Sequence, residues 1–237
     1  MPNRKNPPHA KKNADPSQAD LPDEGFVEIL DMAAESFMRR GFDATSIDDI
    51  AARLGATKGR IYHHFRSKAD LFFEVFSLAM VSRLAGVVAA HRSSGTAAER
   101  LSRMVRAHLM SMTENVPYQR VANQGIEMVA QGALTPAQRE RLEEIAARQA
   151  SYEDLFREVM REGVADASLA ICDVDLATRM IFGAMNWVSR WYSPPAGEAD
   201  TTDAGSAEAT AERTRITETV AATFMQGLLA RPETTAG

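Results

Sequence analysis

The chain has 237 residues, of which 45% are hydrophobic and 25% are charged, the balance expected of a soluble globular protein. No apolar stretch approaches the roughly 20 residues that a membrane helix needs, and the polar first 22 residues lack the apolar core of a secretory signal. Cys172 is the only cysteine, which excludes an internal disulfide and a cysteine-rich zinc site. A cytoplasmic protein that does not associate with membranes is expected.

The net charge of −5 conceals one basic segment. Residues 39–68 contain seven basic and three acidic side chains, a local charge of +4. Because the local charge decides whether a surface meets DNA phosphates, this segment is a candidate for nucleic acid binding. On charge alone, an ordinary solvated basic surface explains it equally well.

The chain begins with a polar segment and continues with a helical one. Residues 1–22 hold five prolines and four Lys or Arg side chains with few apolar residues, which predicts a disordered basic arm. From Asp23, a possible N-cap, apolar side chains recur at spacings of three and four, which predicts a helix that ends at Gly41. Residues 23–82 are assigned to one compact domain.

Three further helix starts follow closely within this domain. Ser46, with Asp49 three residues later, forms a capping-box pattern ahead of a short helix over 47–54. Thr57 and Ser67 are placed to cap the next two helices. Helices this short are not stable alone, so they must pack together.

The second half of the chain predicts longer helices, and residues 83–232 are assigned to a second domain. No segment alternates between polar and apolar residues over the length of a strand, so the fold is predicted to be all-α. Apolar spacing places helices near 101–109, 121–129, 136–163 and 174–192, a linker at 193–207, and a last helix near 216–228.

Residues 45–64 fit a helix-turn-helix, in which the start of the second helix faces the DNA major groove. Gly59 costs that helix about 1 kcal/mol relative to alanine, which suggests a close approach to DNA, although a merely tolerated glycine is the alternative. The groove-facing candidates are Thr57, Lys58, Gly59 and Arg60. The candidates for phosphate contact are Thr45, Ser46, Tyr62, His63 and Lys68.

This stretch closely resembles the DNA-binding domain of regulators of the tetracycline-repressor (TetR) family. The resemblance spans about Gly25 to Val81 and is carried by Tyr62-His63-His64-Phe65, Ser67-Lys68, Gly41-Phe42, Thr45-Ser46-Ile47 and Ile50-Ala51. It implies a homodimer on palindromic double-stranded operator DNA, and a C-terminal domain for ligand binding and dimerisation. It also implies repression that a ligand usually relieves.

The helix near 174–192 suggests what the ligand is. Its segment 182–192 resembles the penultimate helix of TetR members that answer to acyl-CoA thioesters in fatty acid, sterol or aromatic acid breakdown. That resemblance implies that its arginines and tryptophans suit the phosphates and adenine of CoA. The ligand-binding candidates are Arg179, Asn186, Trp187, Arg190 and Trp191. Alternatively, both arginines reach solvent or pair with acids across a dimer.

Other functions are weaker alternatives. The same family includes drug-responsive repressors of efflux pumps, and a protein of a different class would be an interaction protein that no longer binds DNA. No set of residues supports an enzyme, so no catalytic residue and no cofactor is expected. His63 and His64 are adjacent on a helix and point about 100° apart, so no metal site is expected.

Overall fold

The structure, a computed structural model, describes residues 24–131, 135–194 and 203–229. Within these ranges the chain forms nine α-helices and no strand, apart from one isolated bridge between Leu169 and Leu229, and the all-α prediction is confirmed. The predicted basic arm at 1–22 and the predicted cap Asp23 lie outside the described residues. The helices are α1 (Glu24–Arg40), α2 (Ile47–Arg53), α3 (Lys58–His64), α4 (Lys68–His91), α5 (Ala97–Glu114), α6 (Val116–Gln131), α7 (Pro136–Ala165), α8 (Val174–Trp191) and α9 (Asp203–Leu228).

The helix starts and stops of the N-terminal domain follow the sequence signals, with one exception. Gly41 has the positive φ of 79° that lets the chain leave α1. The Ser46 capping box is present at α2, and the Ser67 side chain accepts a hydrogen bond from a backbone amide of α4. Thr57 occupies the N-cap position of α3, but its side chain makes no capping bond to that helix.

Aromatic and branched side chains hold the first four helices together. The rings of Phe37 on α1 and Phe72 on α4 meet edge to face at 5.3 Å. Ile50 of α2 and Ile61 of α3 are fully buried in the same cluster. This packing sets the orientation of α2 and α3 relative to each other and to α4.

Helix α4 is shared by both halves of the protein. Its N-terminal half packs in the cluster with Phe72, whereas Val87 and Ala90 belong to the C-terminal core. The predicted domain boundary between 82 and 83 therefore falls inside a continuous helix. By length and composition α4 could span a membrane, contrary to the expectation from sequence, but more than half of its apolar window is buried against other helices, as in the core helix of a soluble protein.

The C-terminal helices pack around α5. Leu109 of α5, Phe156 of α7 and Met185 of α8 are fully buried in one cluster, which α9 completes from the other side of α5. Pro136 stands in the first turn of α7 as predicted. Helix α7 continues past the predicted end at residue 163, and α9 begins earlier than predicted, so part of the expected linker at 193–207 is helical.

Candidate DNA-binding surface and ligand-binding region

Helix α3 presents one exposed polar face. Ile61 and Phe65 anchor the helix in the N-terminal core, and residues 57–60 are all exposed on the opposite side. Tyr62 and His63 extend the exposed face toward the end of α3, with Tyr62 51% exposed. The predicted groove-facing side chains therefore share one accessible surface, which we call the α3 face.

The two cations of the α3 face are paired with acids. Lys58 Nζ lies 2.7 Å from Asp48 of α2, and the hydrogen bond to Asp48 raises the pKa of Lys58. Arg60 Nη2 lies 2.6 Å from Glu28 of α1. Exposed pairs of this kind contribute little to stability, so a more strongly charged partner such as DNA can compete for both cations.

Gly59 stands in an open place on the α3 face. A Cβ atom built at this position would meet only the Thr57 hydroxyl, at an ordinary contact distance of 3.6 Å. Among the described residues, the packing therefore imposes no need for glycine at this point in the helix. No contact among these residues explains why a glycine, which destabilises a helix, occurs at this position.

Thr45 and Ser46, the two predicted phosphate contacts before α3, differ in their exposure to solvent. Thr45 is only 1% exposed, and its hydroxyl donates to the carbonyl oxygen of Gly41 at 2.7 Å. The predicted contact of this side chain with phosphate is therefore corrected, because the hydroxyl stabilises the turn between α1 and α2. The Ser46 hydroxyl is exposed and bonds to Asp49 within the capping box.

Lys68 bridges the start of α4 to the same turn. Its Nζ atom donates to the carbonyl oxygen of Phe42 at 2.7 Å and lies 4.3 Å from the centroid of the Phe42 ring. The side chain is half-buried. Lys68 therefore holds the turn in place, which the sequence did not predict.

The predicted ligand-binding residues of α8 mostly point out of the protomer. Trp187 and Trp191 are 62% and 51% exposed, and Arg179 and Arg190 are exposed as well. In the protomer both arginines reach solvent, as the alternative interpretation of this helix expected. The outward apolar side chains, which we call the α8 face, are Leu176, Met180, Trp187 and Trp191.

Arg190 borders a small cleft on this side of the protein. The cleft measures about 280 Å³ and is also lined by Arg120 and Asn123 of α6. Arg120 donates to the carbonyl oxygens of Ser189 and Tyr192 at 2.7 and 3.0 Å, so it caps the end of α8. Arg190 itself lies 5.9 Å from the Trp187 ring.

Asn186 alone of the predicted ligand residues turns inward. Its Oδ1 atom lies 3.2 Å from Nε2 of His108, and the other ring nitrogen of His108 lies 2.8 Å from the Tyr152 hydroxyl. Burial, with a smaller effect of the charge on Arg83, lowers the pKa of His108 to about 3. The histidine is therefore neutral near pH 7, and it links α5, α7 and α8 through hydrogen bonds.

A cavity of about 460 Å³ lies between α4 and α7. Tyr152 and the buried Ser77 contribute polar groups to its wall, and the exposed Arg148 lies at its edge. The remaining wall is largely apolar, with Met80, Val81, Leu84, Val88, Ile145 and Leu155. We refer to it as the α4–α7 cavity; its volume is within the range of small-molecule sites.

Comparison with known families accounts for both halves of the chain. Residues 29–75 match the model for bacterial regulatory proteins of the tetR family, and residues 94–228 match a tetracyclin repressor-like C-terminal domain. The chain belongs to the TetR family. The α3 face lies within the first match, and the α4–α7 cavity draws its α7 wall from the second.

Individual TetR proteins are similar over most of the chain. The HTH-type transcriptional repressor KstR2 of Mycolicibacterium smegmatis is 30% identical over 70% of this chain and 78% of its own. The structure of the ketosteroid transcriptional regulator KstR2 of Mycobacterium tuberculosis superposes with a TM-score of 0.73 at 22% identity, covering 89% of this chain and 98% of that one. AibR, solved with isovaleryl coenzyme A and operator DNA, gives 0.60 at 23% identity, covering 81% and 97%.

Two buried polar groups were missed as functional candidates from sequence. Arg83 is 1% exposed in the middle of α4, and His108 is fully buried on α5. The signal for Arg83 was a single charged residue within the otherwise uncharged stretch 75–90. His108 belongs to the apolar stripe of α5, where a histidine is usually read as part of the core.

Proposed function

We propose that this TetR-family protein is a transcriptional repressor that binds operator DNA and is released by a small molecule. The α3 face carries the proposal, because it joins Lys58 and Arg60 to a short helix that Ile61 and Phe65 fix in the core. A rigid, exposed and cationic recognition helix is what binding in the major groove requires. Lys58 and Arg60 would exchange their acidic partners for DNA.

The proposed roles separate by chemistry. Arg60 and Lys58 suit the acceptor edges of guanine and would read sequence. Hydroxyl, imidazole and ammonium groups suit phosphate oxygens, which position a protein without reading bases. The proposed phosphate contacts are Ser46, Tyr62, His63 and Lys68. Thr57 would face the groove with Lys58 and Arg60, and Gly59 would allow the backbone to approach the duplex.

We propose that the α8 face is covered by a second copy of the chain. Met180 and Trp187 are 67% and 62% exposed, and large apolar side chains clustered on a surface usually mark an interaction site. A twofold dimer would match a palindromic operator. On α9, Ile216 is buried in the protomer core, and Val220, Phe224 and Leu228 pack against that core, so these side chains are less available to a partner subunit than those of the α8 face.

The proposed inducer is an acyl-CoA, and the proposed targets are genes of fatty acid, sterol or aromatic acid catabolism. The similarity to AibR, solved with isovaleryl coenzyme A, and to the ketosteroid regulator KstR2 supports this choice. A role for Arg179, Asn186, Trp187, Arg190 and Trp191 in holding CoA would require a partner subunit to cover the exposed α8 face. Release also requires that the ligand prefer the DNA-incompetent state.

A drug-responsive repressor of an efflux pump is the second candidate. The largely apolar wall of the α4–α7 cavity favours it, because such a wall also suits hydrophobic drugs. Hydrophobic cations such as ethidium distinguish the two candidates, since they carry neither the phosphates nor the acyl group of a CoA ester.

Selection from random duplex DNA, followed by competition with ligands, tests these proposals. Enrichment of a palindromic sequence is expected, and enrichment of none would favour an interaction protein that no longer binds DNA. Isovaleryl-CoA or decanoyl-CoA should then release the selected duplex, whereas free CoA should not. Release by ethidium but by no CoA ester would replace the proposed inducer with a drug.

A further inference from the structure

Arg83 is a buried cation without a matching anion. It is 1% exposed, and no acidic side chain among the described residues forms an ion pair with it. Its Nε atom donates to Gln119 Oε1 at 2.5 Å, and Nη1 makes a weak 3.8 Å contact with the sulfur of Met80. Nη2 has no hydrogen-bond partner within the described structure.

Such an arrangement is costly for the fold. A buried charge that is neither paired nor fully hydrogen-bonded destabilises the protein, and apolar replacements are often neutral or stabilising. Burial lowers the pKa of Arg83 only to about 10, so the guanidinium remains charged near pH 7. A function that needs the positive charge would explain why an arginine occupies this buried position.

Arg83 adjoins the inner wall of the α4–α7 cavity. Met80, which touches the guanidinium, lines the cavity. Ser77, also on the wall, has a buried hydroxyl without a partner in the described structure. Two unsatisfied donors, the Ser77 hydroxyl on the wall and the Arg83 guanidinium beside Met80, therefore lie at or next to a largely apolar cavity.

Met80 stands between the cavity, which it lines, and the Arg83 guanidinium, which it contacts. Methionine is unbranched and flexible, and it readily changes rotamer to accommodate a neighbour. A modest movement of this side chain would open the cavity to the Arg83 guanidinium, whose Nη2 atom is unsatisfied.

We infer that the α4–α7 cavity takes an apolar ligand whose buried end carries an acceptor oxygen, a carboxylate or a ketone, and that Arg83 binds this oxygen once Met80 moves aside. Ser77 supplies a second hydrogen bond from the wall. The inference rests on the proposed function, in which a small molecule releases the protein from DNA. It adds that the ligand has one polar end and that this end is the buried one. A CoA group, if present, stays at the open side near Arg148.

Ligands that share one apolar chain and differ at the head test this polarity. Decanoate, 2-decanone and decyltrimethylammonium are titrated calorimetrically below their micellar concentrations, together with 2-naphthoate as a bulkier acid. At least one of the acceptor-bearing compounds is expected to bind, and the cation should bind at least about tenfold more weakly, because hydrogen bonds to a charged group are strong.

Arg83→Met, with Arg92→Met as its matched control, tests the residue. Arg83→Met should weaken the acceptor-bearing ligands about tenfold or more while raising the melting temperature and leaving DNA affinity unchanged. Arg92 is exposed at the end of α4 and does not line the cavity, so Arg92→Met should change none of these. A purely structural Arg83 would instead lower the melting temperature when replaced and leave ligand affinity intact in the folded variant, which would overturn the inference.

Other results also decide the matter. Equal binding of the cation and the acid, or no binding of any acid or ketone, would show that the cavity does not take this class of ligand. Release of DNA by the CoA monothioester of decanedioate, which carries a carboxylate at the end far from CoA, is measured separately. If decanoate binds through Arg83 but the CoA ester does not release DNA, the proposed inducer is refuted and the proposed Arg83 site is retained. If the CoA ester releases DNA but decanoate does not bind through Arg83, only the proposed Arg83 site is refuted.

Discussion

The ammonium nitrogen of Lys68 lies 2.7 Å from the carbonyl oxygen of Phe42 and 4.3 Å from the centroid of the Phe42 ring. Through this pair the first residue of α4 holds the turn between α1 and α2. The same ammonium group is a proposed phosphate contact, so Lys68 combines a structural role with a proposed role at the DNA.

Lys68→Ala should therefore change two measurements. Loss of a charge-assisted hydrogen bond lowers the free energy of unfolding by roughly 1.5–3 kcal/mol when the bond is buried. Because the Lys68 side chain is only half-buried, we expect a smaller decrease. Loss of a phosphate contact should lower the slope of log affinity against log salt concentration by about one per subunit. DNA titrations at four salt concentrations measure the slope, and an unchanged slope in a folded variant would leave Lys68 with the structural role only.

Gly59→Ala should separate stability from DNA binding. A Cβ atom here meets only the Thr57 hydroxyl at 3.6 Å, so the substitution should stabilise α3 by about 1 kcal/mol. If the backbone approaches DNA at this point, the added methyl group should weaken operator binding at the same time. Chemical denaturation and DNA titration of one preparation provide both values, and unchanged affinity would mean that the glycine is merely tolerated.

Trp187→Glu should disrupt the proposed dimer. The side chain is 62% exposed on the α8 face, and a buried carboxylate at a subunit interface would be unpaired. Sedimentation should show a dimer for the wild type at micromolar concentration and a monomer for the variant. Val164→Glu, at a 42% exposed apolar position on α7, is the control that should remain dimeric. A monomeric wild type would refute the proposal directly.

Tyr118→Phe should weaken the communication between the two halves of the protein. The Tyr118 hydroxyl on α6 donates to Asp31 of α1 at 2.8 Å, and Gln124 of α6 donates to the Phe37 carbonyl oxygen at 3.1 Å. Removing one link should reduce the effect of the inducer on DNA affinity by about 0.5–2 kcal/mol, with little change in either affinity measured alone. Equal coupling in wild type and variant would show that this bond does not transmit the signal.

His108 should make the protein sensitive to acid. Burial and the charge of Arg83 lower its pKa to about 3, whereas the unfolded value is near 6.5. Between these values the unfolded chain binds the extra proton, so stability is complete above about pH 6.5 and falls as the pH decreases, by up to about 1.4 kcal/mol per pH unit.

His108→Gln should lose this part of the pH dependence, since glutamine can still bond to Tyr152 and Asn186 without titrating. Denaturation between pH 4 and pH 8 compares the slopes, with His63→Gln on the exposed α3 face as the control. Parallel pH profiles for wild type and His108→Gln would show that this histidine does not titrate as assigned.

Local chemistry was enough to predict where the helices of the N-terminal half begin and end. The caps at Ser46 and Ser67 and the stop at Gly41 are short-range hydrogen-bonding and backbone preferences, so they can be read from neighbouring residues. The apolar positions of α3 likewise indicated which side of the helix faces outward. For the same reason the family could be inferred from one short segment.

Tertiary packing decided the C-terminal half. In sequence the α8 residues Arg179 and Trp187 share a face, and only the packing of α8 against α5 and α6 shows that this face points outward. Arg83 and Gln119 are brought together by helix packing alone, and so are His108, Tyr152 and Asn186. Helical periodicity tells which residues share a side of a helix, whereas the direction of that side depends on contacts between residues far apart in the chain.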